Sequence, residues 1–212
     1  MIINSITFQD SSWAELKKAA EAGTLGDLVK TGDVIGDQFK NGDPLLLDVS
    51  RDEDGKFYFI LHDCLPDEHS MNESWSKLAA WGSSDVRDWL NTEVLHRLPD
   101  ELQEIIVPTA IHQIVDGQDI ITEDKLFLLS KTQVFGEGPW TEQEPRDRPL
   151  EIFASERDRV KECGDRGTWF WWLRSPFSSS STYFYFVNSN GTSTNSNASG
   201  ASGVAFSFCI NP

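Results

Sequence analysis

Cysteine is scarce in this chain of 212 residues, and the three present, Cys64, Cys163 and Cys209, are an odd number without close spacing. Neither a disulfide framework nor a zinc motif is expected, since both need paired or closely set sulfurs. Each cysteine lies in or beside a hydrophobic segment, which predicts small buried apolar residues rather than reactive thiols. Positive charge is also short: 18 Lys and Arg stand against 34 Asp and Glu, a formal net charge of -16 with a pI near 4.5. A phosphate backbone must be neutralised by clustered cations, so nucleic acid and anionic membrane surfaces are excluded as nonspecific partners. No apolar run is long enough for a membrane span, and Met1-Ile2-Ile3-Asn4-Ser5 lacks the basic and long apolar regions of a secretory signal. The absence of any repeat of roughly 20 to 50 residues excludes solenoids and propellers.

Catalytic and cofactor motifs are missing as well. His62, His69, His96 and His112 show no HExxH spacing, and His62-x-Cys64 is a weak metal pair at best. Ser178 to Ser181 offers hydroxyls without a nucleophile elbow or a partner His or Asp tied to it by motif. The glycines of Gly32-Asp33-Val34-Ile35-Gly36 fit neither a phosphate loop nor a dinucleotide fingerprint. The acidic turn Asp52-Glu53-Asp54-Gly55 lacks the ligand spacing of a calcium loop and is expected to be a solvated turn. No catalytic residue, metal ligand or cofactor is therefore expected, and the chain is not read as an enzyme.

What is present is enough sequence for one well-buried core and no linker to divide it, so residues 1–212 are expected to form a single domain. The stretch Gly136 to Pro149 and the Ser-rich tail read as long surface loops. Ser12 and Glu15 fit a capping box opening a helix with Trp13, Leu16 and Ala20 on one face, and Gly23 stops it. A short turn is expected over Thr24 to Val29. Leu45 to Val49 and Phe57 to Leu61 flank an Asp-Gly turn and predict an antiparallel pair. A helix from about Ser84 to Leu95, capped by Ser84, and another starting at Pro99 should pack on the sheet. Further strands are expected at Val107 to Ile114, Lys125 to Ser130, Trp169 to Arg174, Tyr183 to Val187 and Val204 to Ile210, and Arg148 to Lys161 has a helical pattern. Antiparallel pairs with a few helices make an α+β domain.

The tail is the most informative region. It opens on Thr168-Trp169-Phe170-Trp171-Trp172-Leu173-Arg174-Ser175-Pro176 and closes on Gly203-Val204-Ala205-Phe206-Ser207-Phe208-Cys209-Ile210, with a Ser/Thr/Asn/Gly tract between. From Ser175 onward there is no Lys, Glu, Gln, Met or Trp. Such an alphabet is shared by an antibody paratope, where Tyr supplies rigid amphipathic area and Ser, Gly and Asn supply adaptable hydrogen bonds, and by an ordinary low-complexity loop. Period-two spacing assigns Trp171, Leu173, Val204, Phe206 and Phe208 to a common core. Trp169, Trp171 and Trp172 read as core rather than as a stacking platform, and Arg174 as an anchor for loop backbone. Asn190-Gly191 marks a hairpin turn between tail strands, predicting a two-stranded display. Recognition residues are expected at Phe177, Ser180, Thr182, Tyr183, Tyr185, Phe186, Thr192, Thr194, Ser196 and Ser202, in a tract of about 177–202. The pattern does not say which of Phe184 and Phe186 points inward.

Three tail elements, Trp171-Trp172-Leu173-Arg174-Ser175-Pro176, Val187-Asn188-Ser189-Asn190-Gly191 and Gly203-Val204-Ala205-Phe206-Ser207-Phe208-Cys209, resemble the ends of variable proteins of diversity-generating retroelements from gut bacteria and their phages. Upstream, Asp63-Cys64, Met71-Asn72, Trp81-Gly82, Arg87-Asp88-Trp89-Leu90-Asn91 and Asp124 to Ser130 are also similar to that group. The resemblance implies a C-type-lectin-like ligand-binding fold, close to that of the formylglycine-generating enzyme. It further implies a hypervariable receptor-recognition surface, rewritten by adenine-directed mutagenic reverse transcription of asparagine-rich template codons. The implied partner is a protein or glycan target on a cell surface, with homo-oligomerisation or virion attachment open. The carrier would be a phage virion or a bacterial cell. A non-diversified carbohydrate- or peptide-binding module is the alternative, and an enzyme of the formylglycine-generating type a distant one, since Cys64, Cys163 and Cys209 sit in no matching motif.

Overall fold

The computed structural model describes residues 12–210 and the backbone of 5–7; the opening segment Met1 to Asn4 lies outside the described residues. The first elements are β1 (Ser5–Thr7), α1 (Trp13–Glu21) and α2 (Leu25–Leu28). The expected capping box is seen, with Ser12 N–H donating to the Glu15 carboxylate at 3.0 Å, and α1 buries Trp13, Leu16 and Ala19. Strands β2 (Val34–Gln38), β3 (Pro44–Arg51) and β4 (Phe57–Leu61) follow. β3 and β4 are the predicted antiparallel hairpin; Asp52 N–H donates to Lys56 O at 3.1 Å, and Gly55 adopts φ +89°, which an L side chain rarely takes. β4 is Phe-Tyr-Phe-Ile-Leu and buried on both faces, as suits a central strand covered from both sides.

After the short β5 (His69–Ser70), the expected long helix appears as α3 (Asp85–Trp89), a π turn (Leu90–Val94) and α4 (Leu95–Arg97), burying Val86, Leu90 and Val94. Ser84 precedes it, but its hydroxyl donates to Trp81 O at 2.9 Å instead of capping the helix. α5 (Asp100–Ile105) starts after Pro99 as expected. β6 (Thr109–Val115) and β7 (Gln118–Asp124) form a hairpin around Asp116-Gly117, and β8 (Phe127–Leu128) is shorter than its apolar run. Ser130 caps α6 (Lys131–Phe135): its hydroxyl accepts from Gln133 N–H at 3.1 Å, while Gln133 Oε1 accepts from Ser130 N–H at 2.9 Å. The remaining strands are β9 (Lys161–Glu162), β10 (Thr168–Trp169), β11 (Trp171–Pro176), β12 (Tyr183–Val187), β13 (Ser193–Asn197), β14 (Ala201–Ser202) and β15 (Phe206–Phe208).

The result is an α+β fold of mostly antiparallel strands. Its main sheet runs β1-β2-β3-β4-β15-β8, so the last strand is inserted centrally between β4 and β8. Phe208 pairs with Phe59 across that insertion, and their rings stack at 5.3 Å. Trp171, Leu173, Val204, Phe206 and Phe208 have no exposed surface and share one core, as expected. The alternation argument behind that assignment was too narrow: Trp171 through Ser175 are all buried, because both faces of β11 are covered.

Three expectations are corrected. Residues 148–161 are not helical apart from a turn at Glu156–Arg159, because their backbone bonds elsewhere: Leu150 N–H donates to Gln133 O at 2.9 Å and Glu151 N–H to Arg51 O at 3.0 Å. The tail display has three strands, β11-β12-β13, since the partner of β12 is the polar Ser193–Asn197 and not the apolar closing strand. Finally, Cys64 and Cys163 form a disulfide across 99 residues, with Cα atoms 4.8 Å apart; only Cys209 is the buried free thiol expected. Folding brings together loops whose sequence separation gives no pairing signal.

Candidate ligand-binding surface

The display sheet grows out of a buried polar anchor. Arg174, fully buried in β11, donates through Nη1 to Leu128 O at 3.0 Å and to Gln133 Oε1 at 2.8 Å, and through Nη2 to the Asp147 carboxylate. It anchors loop backbone, as its position after an aromatic strand suggested. Next to it, Ser175 Oγ accepts from Lys131 N–H at 2.6 Å and lies 2.7 Å from both carboxyl oxygens of buried Glu144. Burial pushes the Glu144 carboxyl up to about 8, against the lowering influence of Arg174. This network locks β11, α6 and the 136–149 loop to one another.

From Ser175 onward the chain carries no Asp, Glu, Lys, Arg or His at all. Phe177 to Tyr183 forms a compact turn, with Ser180 N–H donating to Phe177 O at 3.0 Å and Phe177 N–H to Tyr183 O at 2.8 Å. β12 and β13 are joined by the Asn190-Gly191 turn that the sequence announced; Asn188 N–H donates to Thr192 O at 2.7 Å. Gly191 is needed there twice over. Its φ is +83°, and a Cβ would lie 1.8 Å from Glu156 O.

Strand register sorts the expected recognition residues. Tyr183 pairs with Asn197 and Tyr185 with Asn195, whereas Phe184 pairs with Ser196 and Phe186 with Thr194. Paired residues share a face and neighbours alternate, so Tyr183 and Tyr185 lie opposite Phe186, Thr194 and Ser196. Phe184 is fully buried, and Phe186 is half-buried against Phe170 at 5.2 Å and Trp172 at 5.5 Å. On the tyrosine face Phe177 meets Tyr185 edge-on, 5.2 Å between centroids. Thr182 accepts from Asn197 Nδ2 at 3.2 Å, and Ser180 is half-buried in its turn. Thr192 serves the hairpin, donating to Asn190 Oδ1 at 2.7 Å. Ser202 is buried and donates to Phe170 O at 2.8 Å, so its hydroxyl is committed to the frame.

Several residues of this face were not singled out in the sequence. Asn195 and Asn197 alternate with Thr194 and Ser196, and only the register decides between the two sets. Trp75, 72% exposed, is held beside them where its carbonyl accepts from Asn197 Nδ2 at 3.1 Å. Lys131 and Trp140 arrive from the loop side: the Lys131 ammonium lies 3.5 Å from the Tyr185 ring centroid and 3.8 Å from that of Trp140. Nothing in the spacing of 131, 140 and 185 links them. The geometry offers aromatic area, hydroxyls and amides on a fixed support. Away from this surface, burial in the core pushes the Cys209 thiol up to about 11. Among the described residues no three His, Cys, Asp or Glu are grouped to hold a metal ion. No helix among them is long and apolar enough to cross a membrane.

A family defined by a domain of unknown function, DUF6273, matches residues 55–212, which take in β4, the buried anchor and the whole display sheet. The chain belongs to the DUF6273 family. No curated protein and no solved structure matches it. The DUF6273 match thus begins inside the β3–β4 hairpin and leaves α1, α2 and β2 outside it.

Proposed function

We propose that this protein is a ligand-binding, receptor-recognition module of C-type-lectin-like architecture, whose hypervariable tail is diversified by mutagenic reverse transcription and binds a protein or glycan target on a cell surface. The observation that carries this is the contrast within one short segment. Trp171 to Ser175 and Gly203 to Ile210 are buried, while the strands between them present half-exposed Tyr, Phe, Ser, Thr and Asn without a single charge. A surface that changes between copies needs a support that does not, and rigid aromatics amid small polar groups give contact area at low entropic cost.

The binding test is the combined substitution Phe177→Ala, Tyr183→Ala and Tyr185→Ala, assayed on panels of gut bacterial cells and immobilised glycans. Binding should fall at least about tenfold, the loss expected from removing central aromatics, with an unchanged circular dichroism spectrum. Full binding by a folded triple variant would place the surface elsewhere. Diversification is tested at the gene: a near-identical template copy with adenines at the variable codons, beside a reverse transcriptase gene, distinguishes this proposal from a non-diversified carbohydrate- or peptide-binding module.

A further inference from the structure

The ammonium of Lys131 is unusual in what it lacks. The residue as a whole is 6% exposed, but its Nζ is not among the side-chain atoms sealed from solvent; among the described residues it meets no protein acceptor or carboxylate at bonding distance, and Glu144 acts on it only at longer range. Two rings face it instead, Tyr185 at 3.5 Å and Trp140 at 3.8 Å from their centroids. Ring faces attract a cation but accept none of its three N–H donors in a full hydrogen bond. The other buried lysine shows the ordinary solution: Lys161 Nζ donates to Leu61 O at 2.6 Å and to His62 O at 2.7 Å. The cage is built to last, because Trp140 Nε1 donates to Gly136 O at 3.1 Å and Tyr185 is held by register in the middle of β12.

Resting on the function proposed above, we propose that caged Lys131 is the anchor for the carboxylate of an acidic sugar, a uronic acid or its like, bound on the tyrosine face. A carboxylate supplies the missing acceptors and the opposite charge together, and such charge-assisted hydrogen bonds are the strong ones. One cation set against strands that carry no charge from Ser175 onward, in a chain of net charge -16, selects for a single acidic group and disfavours a polyanion. Beside the cage stand the rings of Phe177 and Tyr185, edge to face, and Asn195, which is paired with Tyr185. Rings for the apolar face of a pyranose and an amide for its hydroxyls fit a sugar. An acidic peptide would instead seek backbone partners along the free edge of β13. Burial holds the Lys131 amine down at about 8, so at neutral pH most of it is still charged and able to pair.

The test titrates the full chain with methyl β-glucuronide, methyl β-glucoside and an N-acetylated, amidated glutamate, following binding by calorimetry and by NMR of the tryptophan indole N–H groups. Wild type should bind the glucuronide at least about tenfold more tightly than the glucoside, and Lys131→Met should erase that preference while keeping wild-type thermal stability. Lys131→Arg, which restores the charge, should recover part of it. Equal binding of both sugars by wild type, an unchanged preference in Lys131→Met, or a stronger response to the glutamate derivative would each overturn the assignment. If Lys131→Met loses the preference only by unfolding, Trp140→Leu provides the second arm: a folded Trp140→Leu that keeps the full preference also overturns it. Loss of cell binding in the Phe177/Tyr183/Tyr185 triple variant with no glucuronide preference in wild type refutes this inference and leaves the proposed function standing.

Discussion

β13 and β15 are separated by only the short β14 and its flanking turns and could hardly differ more in how their side chains are used. Phe206, Ser207 and Phe208 are all buried between two neighbouring strands, whereas Ser193 through Asn197 are all half-exposed on the free edge of a three-stranded sheet. In β15 a side chain is held by everything around it, so its volume is specified. In β13 the backbone pairing with β12 is complete over five residues and asks nothing of side-chain identity beyond compatibility with a strand. A fold can thus separate the residues that make it from the residues that use it.

The largest effect expected from breaking that division is in the frame. Phe206→Ala should cost about 3 kcal/mol or more, seen as a lowered urea midpoint, because a fully buried ring leaves a cavity that the central strand cannot collapse around. A loss below about 1 kcal/mol would mean the frame is far softer than its burial implies. Next comes the turn that joins the two display strands. Gly191→Ala combines a left-handed backbone with a Cβ driven into Glu156 O, so about 1–3 kcal/mol should be lost by the same measurement.

A smaller, pH-dependent effect tests the anchor between frame and display. The folded Glu144 carboxyl, at about 8, keeps a proton that the unfolded chain releases near 4.5. Unfolding between those values releases a proton, so stability should fall as pH rises from about 4.5 to about 8. The Lys131 amine works in the opposite direction above that window, because its value is lowered from 10.5 to about 8 and stability should recover as pH climbs between them. Glu144→Gln should flatten the decline on the acid side; an identical slope in that variant would remove Glu144 as its source. The smallest effect belongs to the display: Thr194→Ala and Ser196→Ala should each move stability by no more than about 0.5 kcal/mol. A larger loss at either would show that the edge strand is part of the frame.

The frame was legible because it is written in contiguous apolar residues: Phe57 to Leu61, Trp171 to Leu173 and Val204 to Phe208 all announce burial. The β12–β13 turn was legible because Asn-Gly has a backbone reason to be there. β13 was not, since Ser-Thr-Asn-Ser-Asn has no apolar alternation to reveal a strand, and its partner in β12 supplies all the order. The tyrosine face was half legible: the alphabet pointed to the tract, but the pattern left open which of Phe184 and Phe186 points inward, and the register puts both on the face opposite Tyr185, with Phe184 fully buried and Phe186 half-buried. The Lys131 cage and the Cys64–Cys163 bridge were invisible for one shared reason, that each joins residues far apart in sequence, 99 for the bridge.

Gly203 shows where the freedom of the tail stops. A Cβ there would sit 2.5 Å from Cys163 Sγ, 2.6 Å from Cys64 Sγ and 2.8 Å from Phe170 O, so neither the sulfur bridge nor the neighbouring backbone leaves room for a methyl group. Anyone building a library on this scaffold therefore meets a hard border: codons randomised at the half-exposed positions up to Ala201 change what is displayed, while one randomised codon at 203, as at the Gly191 turn, discards nearly every clone that does not keep glycine.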